Sequence, residues 1–201
     1  MATFVTNGSM SDQLVLFSEK QWPAGLRYEP AFVSPDEERA LVTCLAELPL
    51  APFQFGAFEG KRRVASFGWR YDFSDQRLHA ATPFPSWIVP VVTKVEAFAD
   101  LPVGAIQHIL FTEYEPGAGI GWHRDKANFG LVFGLSLASP CKFRFRKREG
   151  KAWERFTLDA APRSLYLMSG ESRGVWEHSI PPVEALRYSI TFRTMAEGSK
   201  R

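Results

Sequence analysis

The spacing of apolar and polar positions predicts two helices in the first half of the chain. Over residues 34–48 the apolar residues recur at helical spacing. Ser34, Pro35 and the three acids that follow are typical of a helix start. A second run of helical spacing covers residues 87–99, so a second helix is predicted there.

Short strands are predicted for most of the remaining chain. The alternation of Phe67, Trp69, Tyr71 and Phe73 predicts a strand with four rings on one face. From residue 108 onward, alternating or apolar runs separated by Gly and Pro predict strands over 108–114, 130–137, 141–147, 153–158, 164–168, 175–180 and 186–194. This pattern indicates a mainly β protein with flanking α-helices, a barrel or a sandwich. No repeat or linker interrupts it, so a single domain over residues 1–201 is expected.

Composition excludes several classes of protein. The 24 Lys plus Arg and 22 Asp plus Glu give a formal net charge of +2, so affinity for a polyanion must come from local patches. The two cysteines, Cys44 and Cys141, exclude a disulfide framework. We find no signal-peptide pattern and no apolar run of about 20 residues, so a cytoplasmic protein without membrane contact is expected. No pattern indicates an obligate protein partner.

Three residues in the second half could bind one metal ion. His123 and Asp125 are two positions apart, so on an extended segment both side chains project to the same face. His178 follows His123 after 55 residues, in a second strand-like piece. Two histidines and one carboxylate form the set that leaves coordination positions open on Fe(II). A His-x-Asp pair alone is a weak signal, because histidine is also an ordinary polar or core residue.

The last predicted strand carries two arginines on one face. Arg187 and Arg193 share that face with Ser189 and Thr191. The other face is apolar and belongs in a core; it holds Tyr188, Ile190 and Phe192. We expect this strand to run antiparallel beside the His178 strand, because only a short connection separates them. An arginine near a metal suits a dicarboxylate ligand, and solvent-facing arginines are the alternative.

Three motifs in this order and spacing resemble the AlkB-like Fe(II)/2-oxoglutarate dioxygenases. They are Tyr114-Glu115-Pro116-Gly117-Ala118 with His123-Arg124-Asp125, Gly170-Glu171-Ser172-Arg173 with His178, and Arg187-x5-Arg193. The resemblance covers about residues 60–194. It implies a double-stranded β-helix (jelly-roll) core over about residues 108–194. It also implies N-terminal helices and a nucleotide-recognition lid within about residues 1–107.

The resemblance further implies a site and a reaction. Fe(II) would be bound by His123, Asp125 and His178, with 2-oxoglutarate and O₂ as cosubstrates. Arg187 would bind the far carboxylate of 2-oxoglutarate, and Tyr114 would donate a hydrogen bond to it. The other positions implied to contact the cosubstrate are Thr112, Ser189 and Arg193, the last nearer the metal. The implied reaction converts 2-oxoglutarate to succinate and CO₂ while a C–H bond is oxidised, and on an N-methyl group it releases formaldehyde.

Two basic segments bear on the substrate. Arg62, Arg63, Trp69 and Tyr71 combine cations with flat rings, which suits an extruded base whose phosphates are held outside, so alkylated DNA or RNA is the expected partner. The alternative is that these rings form the core of a lid sheet. The stretch 142–155 has seven cations against two acids, which a solvated outer face explains without a ligand.

Two departures from the family pattern leave other functions open. Ala127 stands where members that repair bases often carry an acid that meets the base, and Thr112 replaces an Asn found in some relatives. A second hypothesis is therefore the same oxidation on a protein or small-molecule substrate. A third is a non-catalytic jelly-roll module that binds nucleic acid. The intact metal set and both arginines argue against the third.

Overall fold

The computed structural model describes residues 22–55, 58–72, 77–80 and 82–196, so Phe73 lies outside the described residues. The helices are α1 (Pro35–Ala46), α2 (Val89–Phe98) and α3 (Gly170–Gly174). The strands before residue 100 are β1 (Leu26–Glu29), β2 (Ala51–Phe55), β3 (Phe58–Asp72) and β4 (Arg77–Ala80). The later strands are β5 (Ile106–Tyr114), β6 (Ile120–His123), β7 (Phe129–Leu137), β8 (Cys141–Glu149), β9 (Ala152–Ala160), β10 (Leu165–Met168), β11 (Glu177–Ile180) and β12 (Arg187–Met195).

Both predicted helices are present. The Oγ of Ser34 accepts a hydrogen bond from the backbone N–H of Glu37 at 3.2 Å, and the Glu37 carboxylate accepts one from the Ser34 backbone at 2.8 Å. This reciprocal pair satisfies two backbone donors that a helix start leaves open. The second helix begins after a 3₁₀ turn at Ser86–Ile88. No helix in the described part of the chain has the length and apolar character needed to cross a membrane.

All seven strands predicted after residue 108 are confirmed, with ends within two residues of those expected. The elements that the pattern missed include β1, β2 and β6, each of four or five residues at the edge of a sheet. An edge strand is paired on one side and has few buried positions, so its alternation is too short to stand out.

The strands form two antiparallel sheets that face each other. The larger sheet has the order β1-β10-β7-β12-β5-β3-β2, with β4 attached to β3, and the smaller has the order β6-β11-β8-β9. The chain from β5 onward passes repeatedly between them, with β5, β7, β10 and β12 in the larger sheet and β6, β8, β9 and β11 in the smaller. This is the predicted jelly-roll core.

Two apolar layers flank the larger sheet. One lies between that sheet and the helices, and it includes Phe111, Phe133 and Phe192. The other lies between the two sheets, and it includes Phe143 and Trp176. The larger sheet is therefore buried on both faces, so each of its central strands contributes alternate side chains to different layers.

Strand β12 has the predicted alternation of faces, but it lies in a different sheet from the one expected. Ile190 and Phe192 are fully buried in the helix-side layer, while Arg187 and Ser189 are buried on the opposite face. The expectation that β12 runs beside the His178 strand is wrong, since β12 pairs with β5 and β7 in the other sheet. The connection after β11 crosses the sandwich, so the arginines of β12 face His178 across the space between the sheets.

The aromatic segment assigned to the lid is strand β3, which extends the larger sheet by pairing with β5 over Arg63–Gly68. The ring of Phe67 packs edge-on against Phe111 at 5.5 Å, so this ring is in the main helix-side layer and not in the core of a separate lid sheet. Gly68 has φ +85°, a left-handed conformation that interrupts the regular alternation. A Cβ there would lie 2.2 Å from the carbonyl oxygen of Gln107, so only glycine fits.

Candidate active site

Two neighbouring strands of the smaller sheet bring His123, Asp125 and His178 together. His178 on β11 lies opposite His123 at the end of β6, with the ring centroids 4.3 Å apart. Asp125 lies beyond the end of β6, and its Oδ2 is 3.6 Å from Nε2 of His178. The sequence prediction assumed an extended segment through Asp125. The carboxylate instead reaches the two histidines from a loop.

Hydrogen bonds orient two of these side chains. Nδ1 of His123 lies 2.9 Å from the carbonyl oxygen of Gly121, a contact in which Nδ1–H donates. The lone pair of this ring is then on Nε2, as in histidines that bind metals. Nη2 of Arg193 donates to Oδ1 of Asp125 at 2.9 Å, which leaves Oδ2 directed toward His178.

Arg173 fixes the loop that carries Asp125, a role that sequence reasoning missed. Its Nη1 donates to the Asp125 carbonyl at 3.3 Å, and its Nη2 donates to the carbonyls of Phe129, at 2.7 Å, and Lys126. Arg173 stands in the Gly-Glu-Ser-Arg motif that the sequence singled out. Its partners are backbone carbonyls brought together by the loop, so residue types alone could not identify them.

Burial and neighbouring charges set the protonation of Asp125 and His178. Burial alone would raise the pKa of Asp125, but Arg193 and the neighbouring histidines outweigh it and hold that pKa at about 2. Burial lowers the pKa of His178 to about 3, against the opposing effect of Asp125. At neutral pH the carboxylate is therefore ionised and His178 is neutral, which is the form in which each binds a metal.

Two imidazoles and one carboxylate are donor types that suit Fe(II). Nε2 of His178 and Oδ2 of Asp125 can reach one ion, because metal–nitrogen and metal–oxygen bonds are about 2 Å long. Nδ1 of His178 is buried without a hydrogen-bond partner among the described residues. With Nε2 on the ion, this Nδ1 carries the ring proton, so the fit rests on Nε2 and Oδ2 and not on Nδ1.

Arg187 lies in the same space between the sheets and is fully buried. Its Nε donates to Oγ of Ser136 at 3.2 Å, and its Cζ lies 5.1 Å from the ring centroid of Tyr114. Nη1 and Nη2 are buried with no hydrogen-bond partner among the described residues. A buried guanidinium without an anion costs several kcal/mol, so these two nitrogens fit a carboxylate such as that of 2-oxoglutarate.

The pairing of β12 with β5 brings the other predicted cosubstrate residues next to one another. Arg187 lies opposite Tyr114, and Ser189 lies opposite Thr112, on the neighbouring strand β5. All four side chains are buried. Burial raises the pKa of Tyr114, so its hydroxyl stays protonated and can donate a hydrogen bond.

Sequence reasoning missed Tyr166 as well. Its ring lies over Gly134 and packs against Phe143 with centroids 4.5 Å apart. Burial raises the pKa of Tyr166, and the charges of Arg187 and Asp125 also act on it. Tyr166 therefore shares the space between the sheets with both. Nothing in the strand pattern separates a tyrosine that lines a site from one in a core.

The four residues predicted to bind the substrate are all on β3, but the two arginines have different surroundings. The Cζ of Arg62 lies 3.9 Å from the ring centroid of Phe53. Burial lowers the pKa of Arg62, and the charges of Tyr114 and Arg193 also act on it. Arg62 therefore lies near the site. Nη1 of Arg63 bonds Glu113 at 2.9 Å and its Nη2 bonds the Leu50 carbonyl, so Arg63 is held in the sheet.

The two aromatic candidates lie further along β3. Trp69 lines a groove with Pro83, Phe84 and Gln107. The backbone of Tyr71 is in β3, and its side chain lies outside the described residues.

A jelly-roll with two histidines, a carboxylate and a buried arginine between its sheets is the arrangement of a non-haem iron oxygenase. The model of the 2OG-Fe(II) oxygenase superfamily matches residues 25–193. The chain belongs to this superfamily, whose members use Fe(II) with 2-oxoglutarate and O₂ as cosubstrates.

Several curated proteins are similar in sequence. "Alkylated DNA repair protein ALKBH8 homolog" of Arabidopsis thaliana is 29% identical over 181 residues, which cover 78% of this chain and 51% of that protein. "tRNA (carboxymethyluridine(34)-5-O)-methyltransferase ALKBH8" of Mus musculus is 29% identical over 167 residues, covering 80% of this chain and 24% of that protein. This chain therefore matches about half of the first protein and a quarter of the second.

Solved structures share the fold. The structure of OsALKBH1 aligns with a TM-score of 0.65 at 16% identity and covers 87% of this chain and 100% of that one. A prolyl hydroxylase of Trichoplax adhaerens, solved with a peptide fragment of hypoxia inducible factor, aligns with a TM-score of 0.64 at 14% identity and covers 87% of this chain and 85% of that one. At these identities the likeness establishes the fold alone.

The packing of Tyr166 over Gly134 can be tested by substitution. A Cβ on Gly134 would lie 2.0 Å from Cζ of Tyr166, so Gly134→Ala forces the ring to move. We expect a loss of about 1–3 kcal/mol in the free energy of unfolding, measured by urea denaturation. In a Tyr166→Leu background the same substitution should cost less. Equal costs in the two backgrounds would show that the ring does not cover Gly134.

Proposed function

We propose that this protein is an Fe(II)/2-oxoglutarate-dependent dioxygenase that oxidises alkyl groups on nucleic acid bases, with oxidative demethylation as its reaction. The observation that carries the proposal is the buried Arg187. Two of its guanidinium nitrogens have no partner among the described residues, and they lie in the same intersheet space as the two histidines and Asp125. The nucleic acid substrate is supported by the names of the similar proteins, which refer to alkylated DNA and to tRNA.

The metal is assigned to His123, Asp125 and His178. When the iron, 2-oxoglutarate and O₂ are bound, they supply the oxidation of a C–H bond. The protein keeps its ligands in the metal-binding form: Arg193 stabilises the Asp125 carboxylate, and burial keeps His178 neutral.

The cosubstrate is assigned to the face of β12 that looks toward the metal ligands. Arg187 pairs with the far carboxylate through Nη1 and Nη2, while Ser136 holds the guanidinium plane through Nε. Tyr114 donates a hydrogen bond to the same carboxylate. The further positions that contact the cosubstrate are Thr112, Ser189 and, toward the metal, Arg193.

The overall reaction on an N-methyl base balances as follows. One oxygen atom of O₂ enters succinate as 2-oxoglutarate loses CO₂, and the other enters the methyl group. The resulting N–CH₂OH group breaks at its N–C bond and leaves as formaldehyde, while the nitrogen takes the hydroxyl proton. Buried aromatic walls such as Phe145 and Trp176 keep water from this space.

The base is assigned to the border of the site next to β3. Arg62, close to Tyr114 and Arg193, contacts a phosphate, and Trp69 and Tyr71 contact the base. Arg63 acts indirectly, through its ion pair with Glu113.

Removing one ligand tests the metal assignment. Fe(II) added without oxygen should raise the melting temperature of the wild type, because a ligand that binds only the folded state stabilises it. His178→Ala should lose this rise and all 2-oxoglutarate turnover. Tyr188→Phe is the control, since Tyr188 is also buried but lies on the helix side of β12. A His178→Ala protein that keeps the rise and the turnover would refute the assignment.

Arg187→Lys tests the cosubstrate assignment, because lysine keeps the charge and loses the two-pronged geometry. Loss of a bidentate contact costs about 1–3 kcal/mol, so KM for 2-oxoglutarate should rise about 5-fold to more than 100-fold. Arg163→Lys, on the helix side near Glu38, is the control. An unchanged KM in Arg187→Lys would mean that the guanidinium binds something else.

The nucleic acid assignment predicts formaldehyde release from oligonucleotides with N-methylated bases. Arg62→Gln should weaken oligonucleotide binding and reduce the slope of log K against log salt by about 0.7–0.9. Arg63→Gln should mainly lower thermal stability, because the buried Glu113 carboxylate loses its ion pair and keeps only the Tyr188 hydroxyl as a partner among the described residues. Trp69→Ala should lower turnover more than affinity. If the wild type binds iron and 2-oxoglutarate yet releases no formaldehyde from any such oligonucleotide, the substrate belongs to another class.

A further inference from the structure

The outer face of the smaller sheet carries a set of stacked arginines and tryptophans. This arginine–tryptophan face consists of Trp122, Arg124, Arg144, Arg146, Arg148, Trp153 and Arg155. We propose that it binds the polynucleotide backbone that flanks the nucleotide in the active site. This inference rests on the proposed function and adds to it a second contact surface, distinct from the border at β3.

The face is built as a ladder of cations and rings. The Cζ of Arg146 lies 4.4 Å from the ring centroid of Trp122 and 4.3 Å from that of Trp153, so its guanidinium contacts both rings. Arg144 lies 5.1 Å from Trp122, and Arg148 lies 5.2 Å from Trp153. The flat groups are thus fixed in place by one another, and little side-chain entropy remains to be lost on binding.

Most of the positive charge of this face is uncompensated. Arg124 and Arg146 share a single carboxylate, that of Glu177, at 3.8 and 2.7 Å. The other three arginines have no carboxylate within 4.0 Å among the residues that the structure describes. Five arginines and one glutamate give the face a net +4, whereas the whole chain has +2, so the rest of the chain is net negative.

The strand register concentrates like charges. Arg146 lies directly opposite Arg155 on one neighbouring strand and Glu177 on the other, so the one carboxylate offsets only one of the two arginines. Contact with water explains why an outer face is charged, but it does not explain why two like charges are paired across neighbouring strands. A polyanion laid across the face would remove this repulsion.

The chemistry of the face favours a polynucleotide over a lipid surface or an acidic peptide. Each stacked guanidinium uses its Nε within the protein: Arg144 donates to Ser179, Arg146 to Glu177 and Arg148 to Gly150. The Nη groups of Arg144 and Arg148 are left for phosphate oxygens, and the stack offers flat surfaces to bases. A membrane surface would be met by protruding apolar groups. The large apolar side chains that are exposed in the described part of the chain are Trp22, Val89, Val103, Val175 and Leu186, and none is on β6, β8, β9 or β11.

The face is continuous with the active site. His123 and His178 project from β6 and β11 toward the space between the sheets, while their neighbours Trp122 and Glu177 project outward. Strand β6 is the edge of the smaller sheet, and Arg124 lies between its end and Asp125. A strand of nucleic acid that leaves the site over this edge reaches the arginines directly.

The test compares two triple variants with the same change in charge. The first, Arg144→Gln with Arg148→Gln and Arg155→Gln, removes the three arginines without a carboxylate partner. The control, Arg27→Gln with Arg39→Gln and Arg163→Gln, removes three from the helix side. The probe is a mixed-sequence 20-nucleotide single-stranded RNA, and binding is followed by fluorescence anisotropy between 0.05 and 0.5 M salt.

We expect the first variant alone to reduce the slope of log K against log salt by about 2, since each lost phosphate contact removes about 0.7. This corresponds to roughly a hundred-fold weaker binding at 0.1 M salt if the affinities agree at 1 M. A trinucleotide, too short to reach the three substituted arginines, should bind both variants equally, and KM for 2-oxoglutarate should not change. Equal slopes for the two triple variants would overturn the inference.

Two further outcomes separate this inference from the proposed function. If the wild type releases formaldehyde from a methylated trinucleotide but binds the 20-nucleotide RNA no more tightly, the function stands and the surface proposal fails. If the first variant loses binding to vesicles of phosphatidylserine and phosphatidylcholine but not to RNA, the face binds lipid instead.

Discussion

Alternate residues of β12 point to the apolar core and to the candidate site, so the packing of one determines the position of the other. Ile190 and Phe192 are fully buried in the helix-side layer, and the intervening positions turn toward the space between the sheets. Because β12 pairs on both sides, with β5 and β7, a shift of one residue would put Arg187 into an apolar layer. The hydrophobic packing of one face therefore fixes the position of the arginines on the other.

The space between the sheets carries more positive than negative charge. Arg187, Arg193 and Arg173 approach it. The Asp125 carboxylate accepts a hydrogen bond from Arg193, whereas Arg173 donates to the Asp125 backbone carbonyl. The neutral form of His178 adds no charge, since burial keeps its pKa at about 3. An anionic cosubstrate is the partner that such a space accommodates at least cost, because buried charges are stable only when paired. The charges of the metal ligands and of the cosubstrate residues therefore act on each other within one buried space.

Sequence reasoning predicted the residues better than it predicted their arrangement. The alternation in 186–194 gave both faces of β12 correctly, because a two-residue period is a local property of an extended chain. It could not show that the strand after His178 crosses to the other sheet, since the pairing of strands depends on contacts far apart in sequence. Arg173 and Ser136 were missed for the same reason, because their roles depend on a backbone carbonyl and a guanidinium that the fold brings to them. The outcome for Phe67 shows the limit of alternation: it marks a strand, but an aromatic ring on that strand can line a site or fill a core.

The most direct test of the central claim, that one intersheet space binds both the metal and the cosubstrate, is an anaerobic titration followed by visible absorption. Fe(II) is added to the metal-free protein, and 2-oxoglutarate is then added. A weak charge-transfer band should appear only when both are present, and at one equivalent of each, because it arises from 2-oxoglutarate bound to the iron. If the folded wild-type protein gives no band at saturating concentrations of both, the space described here does not bind them together and the account is wrong.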